Sequence, residues 1–309
     1  MISSAIVLLS GVATSGQHPV TENPADRAVA VEMRGVTYHF TADVAVSIPR
    51  LNGALVPSKT DEIPVFDDKT SFTLRIDAAE ISMPVASLAN VLNANVFKAK
   101  DAPMKDISVR ADKDRLKVKG KLHSKGDIPF ETEGVLSATP DGKIRLHTEK
   151  LKALHLPVKG LMELLGLDLA NLINTNKVKG IHVEKDDLIL DPQEILPPPR
   201  IQGRVAQVFI RGNDVVQVFG DGSQPSTSRQ AGNYMAYHGH QLRFGKLTMS
   251  DTDLTLIDMD PKDPFDFFLD HYKEQLVAGY SKITPASGLR TYMRDFNKLK
   301  VNTRGRGAK

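Results

Sequence analysis

A chain of 309 residues, 41% hydrophobic and 25% charged, has the composition of a globular protein and lies far from the disordered and collagen-like extremes. It has no cysteine, which excludes a disulfide framework, a thiolate metal site and a cysteine nucleophile. The net charge of +3 is unevenly placed: Lys298 to Lys309 carries five basic side chains and no acid, as a solvated terminus does. Acids and bases alternate along the body, without the basic stripe that nucleic-acid binding requires.

Residues 1–25 read as a leader. Ala5 to Ala13 is a short apolar run, well under the ~20 residues of a bilayer span, and Val12-Ala13-Thr14-Ser15-Gly16 offers small residues for cleavage. No basic residue separates Met1 from the run. The expectation is an exported protein, periplasmic or secreted, soluble or in peripheral contact with a membrane.

Residues 29–40 and 43–56 read as two strands around a Thr41-Ala42 turn, and 58–69 as a polar loop. Residues 70–82 alternate Phe72, Leu74 and Ile76 against Thr73, Arg75 and Asp77, the period of a half-buried strand. Pro84 is expected at the first position of a helix, where a missing N–H costs nothing. Val85, Leu88, Ala89, Leu92 and Val96 then form one stripe at helical spacing, with Asn90, Asn93 and Asn95 on or near the other face.

Residues 106–156 carry the clearest pattern. Ile107 and Val109 alternate with polar residues; Leu116, Val118 and Leu122 face one way and Lys117, Lys119 and Lys121 the other. Ile128, Phe130 and Thr132 repeat the alternation, Thr139-Pro140-Asp141-Gly142 is a turn, and Ile144, Leu146 and Thr148 return. One dry and one wet face predict an antiparallel meander. The next segment, Pro157 to about Asn176, is apolar around nearly its whole circumference, with Leu161, Leu165, Leu169, Leu172 and Ile173 among its residues. Such a helix is buried on all sides, and a sheet curling around it would bury it.

Hairpins are predicted at 181–190 and 205–219, with Pro197-Pro198-Pro199 as a stiff spacer between them. Residues 221–233 read as a flexible loop, followed by strands at 234–249 and 253–259. A third helix is expected from Asp263-Pro264, with the stripe Phe265, Phe268, Leu269, Tyr272, Leu276 and Tyr280. Residues 234–297 form this strand-and-helix extension, and 298–309 a basic tail.

The motifs of chemistry are weak. His238 and His240 would share a face of a strand and could reach one metal ion, but no third ligand is evident. Asp258 to Asp263 lacks the glycine and terminal glutamate of a calcium loop. There is no phosphate loop, nucleophile elbow, zinc-protease motif or dinucleotide fingerprint. No catalytic residue, metal or cofactor is predicted, and the chain is expected not to be an enzyme.

The order of strand, helix, four-strand meander, all-round apolar helix and hairpins resembles the tubular lipid-binding superfamily. That group includes bactericidal permeability-increasing proteins, contact-site lipid-transfer modules and exported bacterial envelope proteins. The stretch ISVRADKDRLKVKGKLH followed by IPFETEGVLSATPDGKIRLHTEKLKALHLPVKGLMELLGL is most similar to the bacterial members. The resemblance covers about 70 to 220 and rests on strand order and hydrophobic pattern. It implies an α+β fold in which a long, curved antiparallel sheet wraps an apolar helix and acyl chains lie between the two. The expected ligand site is therefore Leu116, Val118, Leu122, Phe130, Leu136, Ile144 and Leu146 of the meander with Leu161, Leu165, Leu169 and Leu172 of the helix. The expected partner is a lipid or another apolar small molecule, and not nucleic acid. The same leucines could instead fill the core of a structural or assembly protein of the envelope.

Overall fold

The computed structural model of the chain describes residues 27–59, 62–124, 126–153, 156–157, 178–221 and 231–299. The expected leader, the apolar helix of 158–175, most of the 221–233 loop and the basic tail beyond Leu299 lie outside the described residues. Within them the protein is α+β and dominated by antiparallel strands, arranged in two large sheets and one small one.

Strands β1 (Val29–Thr41), β2 (Val44–Pro57) and β3 (Phe72–Pro84) form consecutive antiparallel pairs. Their alternation of buried and solvent-facing residues is the signature of a sheet with one dry face. On β1 it slips by one residue at Arg34-Gly35, and opposite, on β2, at Pro49-Arg50. Gly35 sits at φ +59°, and a Cβ there would come within 2.3 Å of Asn233 Oδ1, so the slip requires glycine. Before Gly35 the outer edge of β1 pairs with one strand, after it with another.

The first helix is α1 (Val85–Val91), continued by a π-helical turn over Leu92–Val96. Pro84 is the extended residue just before it, one position earlier than the sequence predicts. The predicted meander follows as β4 (Met104–Asp112), β5 (Arg115–Ser124), β6 (Gly126–Ala138) and β7 (Ile144–Ala153), all antiparallel. The lysines of its wet face meet acids: Lys117 lies 2.5 Å from Asp112, Lys119 3.2 Å from Glu131 and Lys121 2.7 Å from Asp106. Short β8 (Leu156–Pro157) pairs with β7. The hairpin of β9 (Ile181–Glu184) and β10 (Asp187–Leu190) completes this second sheet, in the order β4-β5-β6-β7-β10-β9.

The chain returns to the first sheet through α2 (Pro192–Ile195) and β11 (Arg200–Gln202), which lies parallel to β3. The hairpin of β12 (Val205–Arg211) and β13 (Asp214–Phe219) then adds to β3. Here the two sheets touch: Val205 N–H donates to the Gly142 carbonyl at 3.0 Å and Arg204 Nη2 to the Pro140 carbonyl at 3.0 Å.

The strands after residue 233 join the opposite edge. β14 (Tyr234–Gly239) pairs with the first half of β1. β15 (Leu242–Phe244) and β16 (Leu247–Met249) make a small hairpin, and β17 (Thr252–Asp258) pairs with β14. The expected third helix is corrected here. Phe265–Phe268 is a strand, β18, parallel to the second half of β1, and helix begins only after it, as a 3-10 turn over Leu269–His271 that leads into α3 (Tyr272–Val277). All four residues of β18 are buried. A segment covered on both faces reads as a continuous apolar run, which periodicity cannot tell from a helix. β19 (Tyr280–Ile283) and β20 (Leu289–Met293) close the order β12-β13-β3-β2-β1-β14-β17-β20-β19. One hydrophobic core runs through both large sheets. No helix among the described residues is long and apolar enough to cross a membrane.

Candidate functional site

The dry face of the meander is a wall of an apolar cavity of about 80 Å³. β5 contributes Leu116, Val118 and Leu122, β6 contributes Phe130 and Leu136, and β7 contributes Ile144 and Leu146. These are the seven meander residues that the alternation selects, and the structure brings them together. Leu161, Leu165, Leu169 and Leu172 lie outside the described residues. The remaining wall comes from Leu88 and Leu92 at α1, from Ile107 and Val109 of β4, from Leu188 and Leu190 of β10, and from Met83, Val215 and Gln217 of the first sheet.

The near wall is held in place by polar tethers that periodicity does not show. Asn93 Oδ1 accepts from Ile107 N–H at 2.8 Å, and its Nδ2 donates to the Ile107 and Ala89 carbonyls at 2.7 and 2.9 Å. Asn90 Nδ2 donates to the Asp43 carbonyl at 2.7 Å, and Asn95 Nδ2 to the Ile195 carbonyl at 3.3 Å. The asparagines of the polar face thus fasten the helical segment to β4, to the β1–β2 turn and to α2. The β6–β7 register shifts between Glu133 and Gly134, with Glu149 as the extra residue on β7, and a Cβ on Gly134 would come within 2.1 Å of the His147 carbonyl; such a bulge bends the strand that carries it.

A second apolar cavity, about 50 Å³, lies within the first sheet and the strands that join it, with Tyr38, Leu51, Phe72, Phe219, Tyr237 and Phe267 among its walls. Met83, Leu196 and Gln217 line both cavities, so the two abut at these side chains. No charged residue is among the described residues lining either one. Both exceed the ~10–15 Å³ that one water molecule needs, but a water also needs two to four polar partners, so walls of this kind favour dryness.

Polar groups on these walls differ in how they are satisfied. Thr132 Oγ1 donates to the Lys150 carbonyl at 3.1 Å. Gln217 is only 6% exposed, and its amide has no hydrogen bond to any described residue. The contrast is Gln275, which is fully buried: its Oε1 accepts from Phe268 N–H at 3.0 Å and its Nε2 donates to the Asp266 and Arg294 carbonyls at 2.9 and 2.8 Å. The sequence does carry the signal for Gln217. Period two on Val215-Val216-Gln217-Val218-Phe219 puts the glutamine on the same face as Val215 and Phe219, the one polar side chain of an apolar run.

Tyr38 and Tyr237 also line the second cavity, and neither hydroxyl has a hydrogen bond to a described residue. Burial pushes both phenols above their ordinary value, and each adds a smaller charge effect, from Asp270 on Tyr38 and from Tyr38 on Tyr237.

The metal-like sequence features resolve into ordinary contacts. Gly239, at φ +123°, ends β14 and takes His240 off the strand that carries His238. His238 Nδ1 lies 3.3 Å from Asp253 Oδ1, which Arg290 Nη1 also reaches at 2.8 Å. Asp260, Asp263 and Asp295 surround Lys298 Nζ at 3.2, 2.8 and 2.8 Å. Among the described residues there is no group of three or more metal-ligating side chains. His39 Nε2 and Asp266 Oδ1, 2.6 Å apart, have the form of an acid–base pair. The ring packs against Phe268 and Phe296, and the pair lines neither cavity.

No protein family, curated protein or solved structure matches this chain.

Proposed function

We propose that this protein binds or transfers a lipid or another apolar small molecule without catalysis, in the cell envelope, with the ligand held against the dry face of the meander. The observation that carries the proposal is the convergence of seven side chains from β5, β6 and β7 on one cavity without a charged wall. Such a site holds a ligand by area burial, at about 0.8 kcal/mol per methylene. An acyl chain suits it, and a sugar or nucleotide does not. The reading agrees with the resemblance of the sequence pattern to the tubular lipid-binding proteins. Placement in the envelope rests on the leader-like segment 1–25.

A second function, as a structural or assembly protein with a filled core, draws support from the cavity's modest volume of about 80 Å³. The two separate by experiment. Mass spectrometry of an organic extract of the purified protein should recover a stoichiometric lipid, and an apolar fluorophore should be displaced by added lipid. Repeated preparations without lipid, together with no fluorophore uptake, would favour the structural role.

A further inference from the structure

The junction of the two cavities carries chemistry that an acyl chain alone does not use. We infer that the ligand is a neutral lipid with a hydrogen-bonding group inside its apolar length, an ester, amide or hydroxyl, and that this group docks on Gln217. This inference rests on the lipid-binding function proposed above and narrows it.

Three observations converge. The Gln217 side chain lines both cavities, and its amide, in a residue only 6% exposed, makes no hydrogen bond to any described residue. β13 places Val215 on the wall of the first cavity, Gln217 at the junction and Phe219 on the wall of the second. Alternate residues of a strand are about 6.6–6.8 Å apart, so a ligand reaching from one cavity into the other passes the amide. Beyond it, Tyr38 and Tyr237 add two hydroxyls that are likewise without a hydrogen bond to a described residue.

The chemistry of these groups defines the class. A glutamine amide offers two donors and an acceptor, and a phenol offers one donor and an acceptor. Together they can satisfy a carbonyl or a hydroxyl. They cannot neutralise an ionised carboxylate or phosphate, because no charged side chain is among the described lining residues and an unpaired charge in an apolar site is strongly disfavoured. The upward shift of both phenols has the same origin, since burial opposes charge there. A fully apolar hydrocarbon would leave the amide unsatisfied. The neutral, carbonyl-bearing or hydroxyl-bearing lipid is the class that satisfies both constraints.

The test compares three competitors of equal chain length, dodecane, methyl dodecanoate and dodecanoate at pH 8, in displacing N-phenyl-1-naphthylamine from the full chain. The ester should bind about tenfold more tightly than the alkane, the worth of one well-made buried hydrogen bond, and more tightly than the carboxylate. Gln217→Leu should bring ester and alkane to equal affinity. Tyr38→Phe and Tyr237→Phe, which keep the ring, should reduce the preference for the ester in part. Equal binding of ester and alkane by the wild type would overturn the inference and leave lipid binding intact. So would an ester preference that survives in Gln217→Leu, which would assign the amide to bound water only. Failure of every compound to displace the fluorophore would instead remove the lipid-binding function itself.

Discussion

Two buried glutamines with opposite surroundings give the sharpest contrast between structural and functional side chains in this protein. Gln275 ties together β18 and the end of β20 through three hydrogen bonds. Replacing it with leucine strands three backbone groups, so Gln275→Leu should lower the unfolding free energy by about 2–5 kcal/mol in denaturant titration. Gln217 makes no hydrogen bond to a described residue, so Gln217→Leu should change that free energy by under about 1 kcal/mol. A loss of comparable size on both substitutions would mean that Gln217 is hydrogen-bonded in the folded protein. The tyrosines give a second prediction at this scale. Tyr272, raised to about 12 by burial and by its hydrogen bond to Asp67, should ionise late in an alkaline absorbance titration. Tyr38 and Tyr237 should ionise only as the protein unfolds. A folded pKa above the unfolded one contributes stability that is complete below the ordinary value of 10 and is lost as pH rises through the folded value. Ionisation of every tyrosine near pH 10 with the fold intact would contradict their burial.

At the scale of elements, what was legible in the sequence follows from periodicity. The meander alternates cleanly because one face is dry and the other is wet, and its four strands and the Thr139–Gly142 turn lie where the pattern puts them. The hairpins at β9–β10 and β12–β13 carry turn residues and were equally legible. β18 was not, because phenylalanines buried on both faces have no period and the Asp263-Pro264 pair imitates a helix start. From spacing, the asparagines of the helical segment are only a polar face, because spacing reports where a side chain points and not what it reaches. Asn93 is the test: Asn93→Ala removes its bonds to Ile107 and Ala89 and should cost about 2–4 kcal/mol. It should also speed amide exchange in β4 near Ile107. Unchanged exchange there would show that α1 is held by apolar packing alone.

At the scale of the whole molecule, the chain after residue 233 belongs to the same sheet as the chain before 60, since β14 and β18 share one edge of β1. Sequence order hides this, because pairing across some 200 residues leaves no local trace. The last described residues are fastened to the same body by Lys298 among three aspartates. Hydrogen bonds to Asp263 and Asp295 hold the Lys298 ammonium above its ordinary range, and Lys298 in turn holds Asp260 below its own. The Asp260 contribution is present above the ordinary value of 3.8 and is lost as pH falls through the lower folded value; the Lys298 contribution is present below 10.5 and is lost as pH rises through its higher folded value. Asp258, raised by burial, acts in the opposite sense at the acid end. Lys298→Met should therefore flatten the acid limb of a melting-temperature profile relative to wild type. An identical acid limb would show that the cluster is electrostatically idle.

The same scale holds the central claim, that the dry face of the meander is a ligand site and not merely packed core. The most direct measurement is the binding of N-phenyl-1-naphthylamine to the wild type and to Leu136→Trp, whose indole would fill the cavity that Leu136 lines. Saturable binding by the wild type, with at least a ~10-fold loss in a Leu136→Trp variant that keeps its cooperative melting transition, is the expected result. Equal binding by the two proteins, or none by either, would contradict it.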